Sequence, residues 1–93
     1  MKVLVTGAGG FLGVRVVERL IAHGYDDIRC FLRDRSKTEA LERLSSSFPA
    51  TRLEVCYGNF RSKEDCGRAL KDVQLIIHLA AGMKGSPALV HAI

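Results

Sequence analysis

Ninety-three residues, 47% of them apolar and 26% charged with only two prolines, exclude both a two-domain protein and a disordered tail, because this length and composition support one small folded core. No apolar run reaches the ~18 residues of a membrane span, and the start MKVLVTGAGG has neither the length nor the cleavage region of a signal peptide, so a cytoplasmic chain without membrane contact is expected. The net charge of +4 is spread along the sequence, and its one cluster, Arg29, Arg33, Arg35 and Lys37, has no interleaved aromatic residues to stack on bases, which argues against nucleic acid as a partner.

Lys2 to Thr6 (KVLVT) is a short, nearly continuous apolar run stopped by glycines, the pattern of a buried parallel strand entering a tight turn. From Phe11 to His23 the period becomes helical. Leu12, Val16, Val17, Leu20 and Ile21 fall on one face, Arg15, Glu18, Arg19 and His23 on the other, and Gly24 stands where a C-terminal cap belongs. Ile28 to Leu32 reads as a second strand. Ser36-x-x-Glu39 is a capping box opening a helix whose apolar residues are Ala40, Leu41 and Leu44, closed by a serine run and Pro49. Leu53 to Tyr57 reads as a third strand. Ser62-x-x-Asp65 caps a short helix with Cys66, Ala69 and Leu70 inward, and Val73 to Ala81 reads as a fourth strand. Gly82, Gly85 and Pro87 make a loop, and Ser86 to Ile93 has the pattern of the first turns of a further helix. Strands alternating with helices imply a parallel sheet with helices on both faces through right-handed crossovers. The expected fold is therefore α/β, a Rossmann-type doubly wound parallel sheet of order 3-2-1-4 truncated after the fourth strand. Cys30, Cys56 and Cys66 are odd in number and lack Cys-x-x-Cys spacing, so they are expected to be reduced thiols with no metal role.

The informative segment is Thr6-Gly7-Ala8-Gly9-Gly10-Phe11-Leu12-Gly13, between the first strand and the first helix. A dinucleotide pyrophosphate needs backbone N–H groups and the positive end of a helix dipole, with no side chain where the backbone approaches it. Gly7 permits the tight turn, Gly10 removes the side chain that would meet the phosphates, and Gly13 lets the helix lie close to the strand. A P-loop would need Gly-Lys-Ser/Thr opening the helix, where Leu12-Gly13-Val14 stands instead.

TGAGGFLG resembles the Thr-Gly-x-x-Gly-x-x-Gly form of the extended short-chain dehydrogenase/reductase family, the NAD-dependent epimerase/dehydratase group. His78-Leu79-Ala80-Ala81 is similar to that family's fourth-strand motif lining the cofactor. The resemblance covers essentially all of the chain and implies an NAD(P)-binding Rossmann domain over residues 1–93. It implies that Gly7, Gly10 and Gly13 hold the pyrophosphate, with Phe11 and Leu12 supplying N–H groups, and that Leu79, Ala80 and Ala81 line the cofactor. NAD-using members carry an acidic residue after the second strand, where this chain has Leu32-Arg33-Asp34-Arg35. A guanidinium pairs a phosphate through charge-assisted hydrogen bonds, so Arg33 reads as a 2′-phosphate ligand and the cofactor as NADP, with Asp34 keeping NAD open. After the third strand, where the family has an aspartate accepting from the adenine amino group, stands Gly58-Asn59-Phe60. The Asn59 carbonyl could accept the same bond, and Asn after Gly is also ordinary turn chemistry. His78 reads as a satisfied structural histidine, and His23 and His91 as surface residues.

The family's chemistry depends on a Tyr-x-x-x-Lys pair. Tyr25 and Tyr57 are each followed four residues on by arginine, so no catalytic residue is assigned among the 93. An apolar fourth strand with nothing after it to pair with would be exposed and would invite self-association. The expectation is the N-terminal, cofactor-binding part of an NADP-dependent oxidoreductase or sugar-nucleotide epimerase/dehydratase, a fragment whose small-molecule substrate meets the complete protein. A non-catalytic NADP-sensing module and an interaction protein using the sheet edge are the alternatives.

Overall fold

The computed structural model describes residues 1–8, 10–33, 38–59 and 61–79, and the backbone of 89–92. In chain order the elements are β1 (Lys2–Thr6), α1 (Phe11–Ala22), β2 (Asp27–Leu32), α2 (Glu39–Ser47), β3 (Arg52–Tyr57), α3 (Lys63–Leu70), β4 (Val73–His78) and β5 (Leu89–Ala92). They form one sheet of order β3-β2-β1-β4-β5. Leu4 lies opposite Arg29 of β2 and Ile76 of β4, and β2 pairs β3 from Asp27↔Arg52 to Leu32↔Tyr57, all in parallel. Four parallel strands in the order 3-2-1-4 are those that the sequence pattern predicts.

Both faces of the sheet are covered, which is why the central strands β1 and β4 read as nearly continuous apolar runs rather than alternating ones. Val3, Val5, Ile28, Cys30, Leu32 and Ile77 point to one side and pack with Val17 of α1 and with Leu41 and Leu44 of α2. Leu4, Phe31 and Val73 point to the other side and pack with Ala69 of α3. The period-two alternation within each strand assigns these residues to their faces.

Four expectations are corrected. Leu89 to Ala92, within the segment expected to start a helix, is a strand antiparallel to β4, paired from Leu75↔Ala92 to His78↔Leu89. The open edge of β4 offers a row of unpaired N–H and C=O groups, and satisfying them outweighs the weak helical preference of a four-residue segment. The fourth strand is thus not left unpaired, and the argument for self-association through it loses its basis. Leu12 is 62% exposed, because the face of α1 that is buried carries Gly13 and Val17. Leu70, at the last turn of α3, is 39% exposed while Ala69 is buried. Arg29, counted above in the basic cluster, is engaged within the fold. Its guanidinium crosses to the end of α3 and donates to the carbonyls of Ala69 at 2.7 Å and Lys71 at 2.9 Å.

The helix ends follow local chemistry. The Ser62 Oγ accepts from the N–H of Asp65 at 3.2 Å, the cap that the sequence indicates for α3. Helix α1 ends at His23 and is followed by Gly24 at φ +93°. Helix α2 starts after Thr38, whose hydroxyl is hydrogen-bonded to the Tyr57 hydroxyl at 2.6 Å rather than to the helix, and Ser36 of the expected capping box lies outside the described residues. At the opposite end of the sheet, Lys2 bonds Glu54 and lies 3.3 Å from Asp27, tying the first three strands together. All three cysteines are free, as expected. Burial pushes the Cys30 thiol up to about 12.

Candidate functional site

The carboxyl ends of β3, β2, β1 and β4 lie side by side, and the predicted site residues that the structure describes gather along this edge. In an open α/β sheet this is where ligands bind.

After β1 the chain turns through Gly7 at φ +72°, a conformation that other residues rarely adopt, and the Gly7 N–H donates to the Phe31 carbonyl of β2 at 3.2 Å. Gly13 answers a different need. A Cβ there would lie 2.4 Å from the Ala8 Cα and 2.6 Å from the Gly7 carbonyl oxygen, so the first turn of α1 rests directly on the loop backbone. Gly10 answers neither. Its backbone is extended, at φ −82° and ψ 174°, and a Cβ would meet nothing within 4 Å. The fold would accept a side chain at this position, because the space above Gly10 is open.

That space faces the start of α1, whose first turn carries no acidic residue and whose N-cap, Gly10, makes no side-chain cap. No side chain of the cap or of the first turn offsets the positive end of the helix dipole. Phe11 and Leu12 project into solvent at 80% and 62% exposure, and the Arg15 guanidinium lies 5.2 Å from the Phe11 ring centre. Gly9 lies outside the described residues.

Arg33 is exposed and directly follows the last residue of β2. Asp34, Arg35 and Lys37 lie outside the described residues. Past β3, the Gly58 N–H donates to the Leu32 carbonyl at 3.0 Å, which sets Asn59 beside the end of β2. The Asn59 N–H donates to the Asp65 carboxylate at 2.8 Å, and Arg68 donates to the other oxygen of that carboxylate at 2.9 Å. The Asn59 hydrogen bond, with help from the Arg68 charge, holds the Asp65 carboxyl below its ordinary value. The Asn59 side-chain oxygen accepts from the N–H of Arg61 at 2.9 Å. Phe60 lies outside the described residues.

Past β4, Leu79 is buried, and its N–H lies 3.1 Å from the Thr6 hydroxyl oxygen and 3.2 Å from the Thr6 carbonyl. The same hydroxyl is 2.6 Å from His78 Nδ1. This matches the structural reading of His78. It also gives Thr6 a role that the glycine motif alone does not reveal, that of pinning the ends of β1 and β4 together. Ala80 and Ala81 lie outside the described residues. Asp65 is a second residue that sequence reasoning missed, since its position in a helix cap accounts for it without reference to the neighbouring loop. Among the described residues no cluster of His, Cys, Asp or Glu could hold a metal ion, and no helix is long and apolar enough to cross a membrane.

Comparison with known proteins agrees with this geometry. Over 81 residues the chain is 37% identical to sterol demethylase protein B of Methylococcus capsulatus, covering 87% of this chain and 22% of that protein. It is 33% identical over 88 residues to UDP-glucose 4-epimerase of Pisum sativum, covering 89% of this chain and 25% of the epimerase. The crystal structure of yeast methylglyoxal/isovaleraldehyde reductase Gre2 complexed with NADPH superposes with a TM-score of 0.63 at 24% identity, covering 84% of this chain and 23% of the reductase, and so shares the fold. The chain spans about a quarter of the length of these relatives. Residues 3–91, nearly the whole sequence, match the NAD dependent epimerase/dehydratase family, and the chain belongs to that family.

Proposed function

We propose that residues 1–93 are the dinucleotide-binding domain of an NADP-dependent oxidoreductase or sugar-nucleotide epimerase/dehydratase, acting in the cytoplasm on a small molecule. The observation that carries the reading is Gly10. Gly7 and Gly13 are demanded by backbone conformation and by contact, whereas Gly10 is demanded by neither and stands open over an uncapped helix start. A pyrophosphate there would take the N–H groups of Phe11 and Leu12 and the field of α1. Arg33 would take the 2′-phosphate of the adenosine ribose, and Asn59 and Phe60 would border the base. Leu79, Ala80 and Ala81 would line the cofactor's other side. The bound nicotinamide would supply hydride exchange at its C4, and the proton transfer that accompanies it needs a tyrosine–lysine pair from outside these 93 residues. An NADPH complex of a structural relative and a family defined by NAD dependence support the reading.

Calorimetric titration with NADPH and NADH tests it. NADPH is expected to bind more tightly, and Arg33→Ala is expected to weaken NADPH alone by about ten- to a hundredfold, the effect of losing a charge-assisted hydrogen bond. Equal weakening of both cofactors would remove Arg33 from the site. A parental preference for NADH would return the assignment to NAD.

A further inference from the structure

The chain leaves β2 at Leu32 and enters α2 after Thr38, and Arg33 is the first residue of the connection between them. Tyr57, the last residue of β3, holds both ends of that connection. Its backbone pairs with Leu32 in the parallel ladder of β2 and β3. Its hydroxyl is hydrogen-bonded to Thr38 Oγ1 at 2.6 Å.

The hydroxyl bond is not a by-product of helix capping. A threonine in front of a helix ordinarily turns its hydroxyl onto the first N–H groups of that helix from an extended backbone. Ser62 does this ahead of α3, at φ −89° and ψ 119°. Thr38 stands at φ −84° and ψ −24°, and its hydroxyl makes no bond to α2, so the cap is given up while the bond to Tyr57 is made. The Tyr57 ring packs against the core that includes Leu32 and Leu41, which fixes the place from which its hydroxyl holds Thr38. A guanidinium pairs a phosphate in a defined geometry. An arginine just beyond the end of a strand keeps that geometry only when the chain on its far side is anchored as well, and an anchor made before the ligand arrives lowers the cost of binding.

We propose that Tyr57 is a positioning residue for cofactor choice: through Thr38 it anchors the connection that carries Arg33, so that the 2′-phosphate meets a guanidinium already in place. The inference rests on the NADP site proposed above and adds to it a residue of the neighbouring strand that acts through Arg33. Tyr57→Phe keeps the packed ring and removes only the hydroxyl. Calorimetric titration is expected to show NADPH binding weakened about three- to tenfold, the value of one neutral hydrogen bond, with NADH binding unchanged. Thr38→Val, which removes the partner hydroxyl without touching the core, is expected to have the same effect, the double variant no further one, and Thr38→Ser none. A bond that serves the fold alone would weaken both cofactors equally or neither, and either result overturns the proposal. If Arg33→Ala removes the preference for NADPH while Tyr57→Phe and Thr38→Val leave it intact, the positioning role falls and the cofactor reading stands. A parent that binds NADH as tightly as NADPH overturns both together.

Discussion

A methyl group at Gly13 would collide with the Ala8 and Gly7 backbone, whereas one at Gly10 would meet open space. The two positions should therefore separate folding from binding. Gly13→Ala is expected to cost about 3 kcal/mol, the upper range for overpacking, because the obstacle is backbone that no rotamer change can relieve. Gly10→Val is expected to cost no more than about 1 kcal/mol, the loss at an N-cap, and to abolish dinucleotide binding. Urea denaturation beside cofactor titration checks both; a Gly10→Val chain that still binds would make the glycine motif structural only. Asp65 adds a pH dependence. Its carboxyl is held below the ordinary value of 3.8, so its contribution is complete above that value and is lost as pH falls through the lower folded value. The Asn59 amide resonance, followed by NMR, should titrate with a midpoint below 3.8, and Asp65→Asn should remove the transition.

At the level of elements, Arg29 shows how a strand and a helix on one face are joined. The guanidinium closes the carbonyls at the end of α3 from the neighbouring β2, while its side chain is only 12% exposed and also lies 3.7 Å from Glu54. Arg29→Met keeps the apolar stem and leaves those carbonyls without their charged donor, at an expected cost of about 2 kcal/mol. Hydrogen exchange should then speed up in the last turn of α3 before it does in β2. Uniform loss across the sheet would instead mean that the arginine acts through packing. The strands were legible in the sequence because burial on both faces leaves long apolar runs, and α1 was legible because Val16, Val17, Leu20 and Ile21 keep a helical period up to Gly24. Leu12 was misplaced because the contact that sets the rotation of α1 is made by Gly13, a residue with no hydrophobic signature. The hold of Asp65 on the Asn59 backbone N–H was hidden for a similar reason, since a capped helix accounts for Asp65 on its own. Strand β5 was missed because its state is decided by the free edge of β4 rather than by its own four residues.

Across the whole molecule, the antiparallel course of β5 determines where the chain emerges. Lys2 pairs with Val73 and Ala92 with Leu75, so Lys2 and Ala92 both lie at the end of the sheet remote from the glycine turn, about 10 Å apart across two strand spacings. A parallel fifth strand would instead have carried the chain out beside the site. Circular permutation should therefore be tolerated: a linker of about five residues is long enough to join Ala92 to Lys2, and new ends can be opened in the exposed turn around Pro49 and Ala50, between α2 and β3. The permuted chain is expected to keep the far-UV circular dichroism and the cofactor affinity of the parent. Loss of both would mean that β5 does not hold the C-terminus on that side. By the same geometry, an affinity handle or a fluorescent protein joined ahead of Lys2 or after Ala92 hangs below the sheet, and the edge that carries the glycine turn stays uncovered.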